Sequence, residues 1–253
     1  MSRAKDLYFA KLAELTDRYD EMADYMETIG KAPDELSAEE RLLLSLAYKG
    51  AVESRRASLR KIISVEQMER TKGSEKNATY AREYCSKLEV ELQEICDTLV
   101  NLLENNLISK ATTDESKVFY QKIKADYYRY IAEVTDGDKK RAAVEHARNA
   151  YEDATRVAEK DLPRTHPIRL GLALNFSVFQ YEVLKKPHEA CKTSRTVLND
   201  TLNELDTIAE DSCKDSVSHS MRIMQILRDN ISIMDPAAST FEAGTIQFES
   251  ICE

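Results

Sequence analysis

The 253-residue chain carries 36 Lys+Arg against 45 Asp+Glu, a formal charge of −9 that sets long-range electrostatics against nucleic acid or anionic lipid as the main partner. Six Gly and five Pro, scattered singly among good helix formers, exclude a flexible linker and favour one continuous helical body. No apolar stretch follows Met1 and no run approaches the roughly 20 apolar residues of a membrane span, while five cysteines without a C-x-x-C pair suit reduced thiols rather than disulfides or zinc; a cytoplasmic protein is expected.

Between Asp6 and Met26 the apolar positions Leu7, Ala10, Leu12, Leu15, Tyr19, Met22 and Met26 recur at helical spacing, before a break at Gly30 and Pro33, which predicts two helices and a turn. Ser37 with Glu40 three residues on is a capping box, and it opens a helix expected to reach about Thr71, with Gly73 beyond its end. Another long helix is expected over about Glu75–Asn106. The Thr112-Thr113-Asp114-Glu115 cluster caps one running to about Val134, and Asp136-Gly137-Asp138 reads as the following turn. A helix from about Lys139 to Lys160 precedes Pro163, and Pro167 supplies an N1 proline for the apolar segment Ile168–Leu184. Pro187 opens a helix over about His188–Glu210, and a last one covers about Ser212–Met234. No alternating strand pattern interrupts the series, so the fold class is all-α with about nine helices joined by short turns. Residues 1–235 read as one helical domain and 236–253, which have little periodicity, as a flexible tail.

Lys49 and Arg56 lie seven apart, within about 20° on one helix face, and Arg60 follows one turn later. Asp126-Tyr127-Tyr128-Arg129-Tyr130 sets another cation beside a phenol. Several cations with a hydroxyl are what a phosphate dianion needs, since they offer charge-assisted donors from more than one side. By pattern alone, Lys and Arg on amphipathic helices are more often solvated surface. Further on, Leu172, Phe176, Phe179 and Val183 can face the core while Leu174, Asn175 and Glu182 fall elsewhere on the wheel, and Ile226, Asn230 and Ile233 form an apolar stripe broken by one amide. An Asn amide or a carboxylate can bond the backbone of an extended peptide without reading its side chains.

Arg41 to Lys49, Arg55-Arg56, Ser116 to Tyr120, Asp126 to Tyr130, the string Thr165-His166-Pro167-Ile168-Arg169-Leu170-Gly171-Leu172-Ala173-Leu174-Asn175-Phe176-Ser177-Val178-Phe179, and Leu227-Arg228-Asp229-Asn230 together resemble the 14-3-3 family over about Ala10 to Ile233. The resemblance implies nine antiparallel helices per subunit, a cup-shaped dimer with one concave groove per protomer, no catalytic activity and no cofactor. It implies an adaptor that binds client proteins phosphorylated on Ser or Thr. Lys49, Arg56, Arg129 and Tyr130 would form the phosphate pocket, Asn175 and Asn230 would hold the ligand backbone with Glu182 on the polar wall, and Leu174, Ile226 and Ile233 would make the apolar wall. Leu12, Ile62, Val65 and Tyr84 would line the dimer seam, with Arg18–Glu91 and Glu21–Lys87 paired across it. At the family's remaining pair Lys5 replaces an acidic residue opposite Lys76, which weakens the homodimer unless Asp6 turns in to compensate. Arg55-Arg56-Ala57-Ser58 reads as a basophilic-kinase site, and the resemblance puts Ser58 at the seam, where a phosphate of about −2 would favour monomers.

The chain departs from the family pattern in having no Trp, with Leu59 and Met234 in the usual places, and in about four extra residues within Val217-Ser218-His219-Ser220-Met221-Arg222. Four residues are close to one turn, so either the helix lengthens or the loop bulges. In the tail, Ser250 with Glu253 is an acidophilic kinase pattern, and a phosphorylated tail could occupy its own groove; a plain acidic tail is the alternative. The rival function is a tetratricopeptide-like solenoid that binds peptides without phosphate, but no repeat of about 34 residues recurs. An enzyme is disfavoured because the four histidines are scattered, with no nucleophile–base pair, Gly-rich phosphate loop or metal spacing.

Overall fold

The computed structural model describes residues 2–205 and 214–235. Among them are nine α-helices and no strand: α1 (Arg3–Leu15), α2 (Tyr19–Lys31), α3 (Ala38–Thr71), α4 (Glu75–Leu102), α5 (Asp114–Val134), α6 (Gly137–Asp161), α7 (Pro167–Glu182), α8 (Pro187–Leu205) and α9 (Lys214–Met234). The all-α reading therefore holds, and so does most of the punctuation. Ser37 Oγ accepts from the Glu40 amide at 3.2 Å while Glu40 Oε2 accepts from the Ser37 amide at 2.8 Å, so α3 starts on the expected capping box. Pro167 occupies the first turn of α7, and His166 Nδ1 caps it by accepting from the Ile168 amide at 3.3 Å.

Three boundaries differ from the sequence reading. The turn between the first two helices falls at Thr16–Arg18 rather than being announced by Gly or Pro; Asp17 makes it with φ +54, a left-handed conformation that a short polar side chain tolerates. The fourth helix stops at Leu102 and continues as a π-helical turn (Leu103–Leu107) and a 3₁₀ turn (Ile108–Lys110), which changes its pitch before α5. Lys110 Nζ then donates to Gly30 O at 3.3 Å and to Ala32 O, satisfying carbonyls at the end of α2. Gly137 is the first residue of α6 at φ +59, so the expected three-residue turn is shorter.

The chain divides into two compact units, Met1–Lys110 with Tyr130–Ala143 and Ala111–Arg129 with Val144–Glu253. In the first, α1, α2, α3 and α4 pack together and bury Ala10, Met22, Met26, Ile29, Leu44, Ala47, Leu92, Cys96 and Leu99. In the second, α7, α8 and α9 enclose Leu170, Leu174, Val178, Ile223, Leu227 and Met234, and a further cluster joins Val118, Ala147, Tyr151, Ala154, Leu172 and Phe179. Leu172 and Phe179 are thus core residues as the wheel predicted, with Phe176 and Val183 packed against them. Both replacements for tryptophan, Leu59 and Met234, are buried, which fits apolar swaps. The extra residues around 217–222 lie inside α9, so the chain lengthens this helix instead of bulging.

Candidate functional site

In the first unit the phosphate-pocket candidates Lys49 and Arg56 sit on α3, both partly buried. Arg56 is held on three sides. Its guanidinium carbon lies 4.8 Å from the centre of the Tyr130 ring, Nη2 meets Glu133 Oε2 at 3.0 Å, and Nη1 donates to Glu53 Oε2 at 3.2 Å. Arg60, which spacing places on the same face, bonds Glu53 Oε1 at 2.9 Å with its side chain 61% exposed. Burial works to raise the Glu53 carboxyl, but Arg60 and Arg56 beside it hold it below the ordinary range, so Glu53 stays charged. A planar cation fixed over an aromatic face keeps part of its donor fork oriented, which lowers the entropy lost when an anion is bound.

The second unit holds Arg129, completely buried at the point where α5 passes to Tyr130. It belongs to a polar network whose hub is Asp126. Lys122 Nζ donates to Asp126 Oδ2 at 3.0 Å, Asn175 Nδ2 to Asp126 Oδ1 and Oδ2 at 3.0 and 2.9 Å, and the Tyr151 hydroxyl to Asp126 Oδ1. Arg129 is the other hydrogen-bonding partner of that hydroxyl; burial pushes the Tyr151 pKa well up, Asp126 adds to the rise and Arg129 opposes it. The Tyr151 ring stacks on Phe176 at 5.2 Å between centroids and packs on Phe179 at 5.3 Å. Lys122, Asp126, Tyr151 and Glu133 carry no assigned role in the sequence reading. Only the i, i+4 spacing of Lys122 and Asp126 announces any of this network.

Of the peptide-wall candidates, Asn175 and Asn230 are buried on α7 and α9, two helices that pack against each other. Ile226 and Ile233 are partly buried on α9, Ile226 against the cluster that encloses Leu174, and Glu182 is half-buried at the end of α7. Leu174 itself has no exposed surface, so it sits beneath that wall rather than at its face.

The seam candidates lie in the first unit. Leu12 is exposed, as are Val65, Tyr80 and Tyr84, and Ile62, Val65, Tyr80, Ala81 and Tyr84 line an open hollow of about 380 Å³. Within one chain Arg18 bonds Glu21, Lys87 lies 3.9 Å from Glu91, and Arg55 reaches Glu91 at 3.4 Å and Asp20 at 2.6 Å. Lys5 Nζ stands 5.3 Å over the Phe9 ring and Lys76 Nζ 5.8 Å over the Tyr80 ring. Asp6, beside Lys5, is only 3% exposed within the chain. Ser58 is partly exposed, its hydroxyl donating to Ser54 O at 3.0 Å.

Residues 9–234 match the family model described as 14-3-3 protein. The chain is 52% identical over 224 residues to 14-3-3 protein beta/alpha-1 of Oncorhynchus mykiss, covering 88% of this chain and 89% of the relative. The chain belongs to the 14-3-3 family. Two more 14-3-3 relatives are similar at 48%: the 14-3-3-like protein GF14-E of Oryza sativa subsp. japonica over 235 residues (92% of this chain, 88% of that one), and the 14-3-3 family protein artA of Aspergillus flavus over 233 (92% and 96%). Membership brings the role of an adaptor that binds phosphoserine and phosphothreonine segments of other proteins, and disfavours the solenoid. For this 14-3-3 chain no helix among the described residues is long and apolar enough to cross a membrane, and no described cluster of His, Cys, Asp and Glu could hold a metal ion.

Proposed function

We propose that this adaptor takes the ligand's phosphate on Lys49, Arg56, Arg129 and Tyr130, and the flanking backbone on Asn175 and Asn230. Glu182 completes the polar wall, while Ile226 and Ile233, supported from beneath by Leu174, give the apolar one. The supporting observation is the fixed guanidinium of Arg56 against the Tyr130 ring, one residue along α5 from the buried Arg129. Such a set neutralises a dianion with charge-assisted bonds, whereas a plain serine offers one weak acceptor. The family match over 9–234 supports treating that span as one domain.

The same reading makes the protein a non-catalytic cytoplasmic homodimer. Leu12, Ile62, Val65 and Tyr84 form its seam, Arg18, Glu21, Lys87 and Glu91 its charged rim, and Lys5 with Lys76 its weak point; Ser58 phosphorylation opens it. Two grooves per dimer let a doubly phosphorylated client bind far more tightly than through one site. Self-occlusion by phosphorylated Ser250 concerns residues outside those described.

Fluorescence anisotropy with matched phosphorylated and unphosphorylated peptides tests the pocket. Lys49→Glu and Arg56→Ala are each expected to weaken the phosphopeptide by about 10- to 100-fold, as loss of one charge-assisted contact implies, with unchanged helicity and no effect on the unphosphorylated twin. Equal affinity for the two peptides in the parent protein would refute the reading.

A further inference from the structure

We propose that Asp126 is a positioning residue that ties the phosphate-binding Arg129 to the peptide-binding Asn175, so that one buried carboxylate sets both halves of ligand recognition; this rests on the phosphopeptide reading above. All the groups involved belong to the second unit and are buried, Arg129 and Tyr151 completely and Lys122, Asp126 and Asn175 nearly so. Their chemistry fixes the direction of every bond. An ionised carboxylate only accepts, so Lys122 and the Asn175 amide donate to Asp126, and the proton of the Tyr151 hydroxyl is committed there too. Arginine only donates, so its bond with Tyr151 must end on the phenol oxygen. Tyr151 is therefore a one-way relay, accepting from Arg129 and donating to Asp126, on a ring clamped by Phe176 and Phe179.

Two consequences follow from this wiring. Because Asn175 Nδ2 faces both Asp126 oxygens, the amide orientation is dictated by the carboxylate, and its carbonyl end is turned away from Asp126. Because Arg129 is completely buried one helical turn beyond Asp126, its contact with the Tyr151 hydroxyl biases the guanidinium toward one orientation before a ligand arrives. Asp126 also shares α5 with two buried cations, Lys122 four residues before it, which it bonds, and Arg129 three residues after, which gives its removal opposite effects on binding. Losing a negative charge beside the pocket strengthens attraction for a phosphate dianion, whereas losing the hub frees Arg129 and Asn175 to reorient. The number of bonds converging on Asp126, four from three side chains, decides for the second.

The test uses the 253-residue chain and a labelled phosphoserine peptide that it binds, selected from a degenerate phosphoserine library, with its unphosphorylated twin. Tyr151→Phe removes one oxygen, changes no charge and cuts only the Arg129 branch; it is expected to weaken the phosphorylated peptide by about tenfold and leave the twin unchanged. Asp126→Asn cuts both branches and is expected to weaken both peptides, although it removes one negative charge beside the pocket. Unchanged phosphopeptide affinity in Tyr151→Phe, or tighter binding in Asp126→Asn, overturns the proposal, and a loss of affinity equal for both peptides in Tyr151→Phe assigns the network to general stability and overturns it too. If Asp126→Asn does not fold, Tyr151→Phe decides alone. Arg129→Lys and Asn175→Ala separate the two levels: if neither changes phosphopeptide affinity, the site reading has failed, whereas if both do and Tyr151→Phe does not, only the role of Asp126 has.

Discussion

Glu40 concentrates several physical effects in one side chain. It completes the capping box of α3 and accepts from Arg3 Nε and Nη2, each at 2.8 Å, while only 6% exposed. The Arg3 hydrogen bonds, aided by the Ser37 amide and opposed by burial, lower its pKa from 4.5 to about 2. A carboxyl depressed in the folded state binds its proton first in the unfolded chain, so its stabilisation is complete above 4.5 and is lost as pH falls toward about 2. Glu40→Gln is expected to cost about 1–3 kcal/mol at neutral pH and to flatten the fall of thermal midpoint with acid in that window. Gly50 makes the complementary case, because a Cβ there would lie 2.2 Å from Tyr19 Cγ. Alanine gains roughly 1 kcal/mol of helix propensity but expels a ring whose packing is worth about 1.5–3 kcal/mol, so Gly50→Ala should lower the denaturant midpoint by a net loss of about 1 kcal/mol.

At the scale of elements, the entry to α7 is set by one imidazole. His166 Nδ1 accepts from the Ile168 amide, which requires that nitrogen unprotonated, while Nε2 lies 3.8 Å from Glu115. Burial lowers the His166 pKa, with Glu115 opposing. The folded state therefore resists protonation, and the cap contributes fully above the unfolded value of about 6.5 and is lost as pH falls through the lowered folded value. Asparagine can cap without titrating, so His166→Asn should match the parent near pH 7 and exceed its stability near pH 5 by about 1 kcal/mol, read by urea unfolding at both. The end of α6 depends on a second device, Arg169 Nη1, which reaches back to donate to Leu162 O at 2.8 Å and Ala158 O at 3.2 Å. It satisfies carbonyls the helix end leaves open.

For the whole molecule, the proposed seam predicts how strongly two copies would hold together. Val65→Glu places a charge among Ile62, Tyr80 and Tyr84 and should shift sedimentation to the monomer. In the proposed dimer Lys5→Glu replaces a like-charge pair with Lys76 by an attractive one twice, and at about 0.2–1 kcal/mol for each exposed pair should tighten association by roughly 2- to 30-fold. An unchanged dissociation profile would remove Lys5 from the seam.

The sequence by itself determined the helices, because apolar periodicity, the Ser37–Glu40 box and Pro167 act between residues within a turn or two of each other. It also determined the family, since Thr165 to Phe179 is a contiguous string, and with it the identity of the candidate cations. Turns made by Asp17 and by the π-helical Leu103–Leu107 left no local mark, because neither depends on a residue type with a strong preference. Which partners hold those cations was decided only by tertiary structure. Asp126 meets Tyr151 and Asn175 across 25 and 49 positions of chain, and Arg56 meets Glu133 from another helix. Contacts of that separation are chosen by packing, where every buried polar group must find a donor or acceptor, and no local pattern records which one it finds.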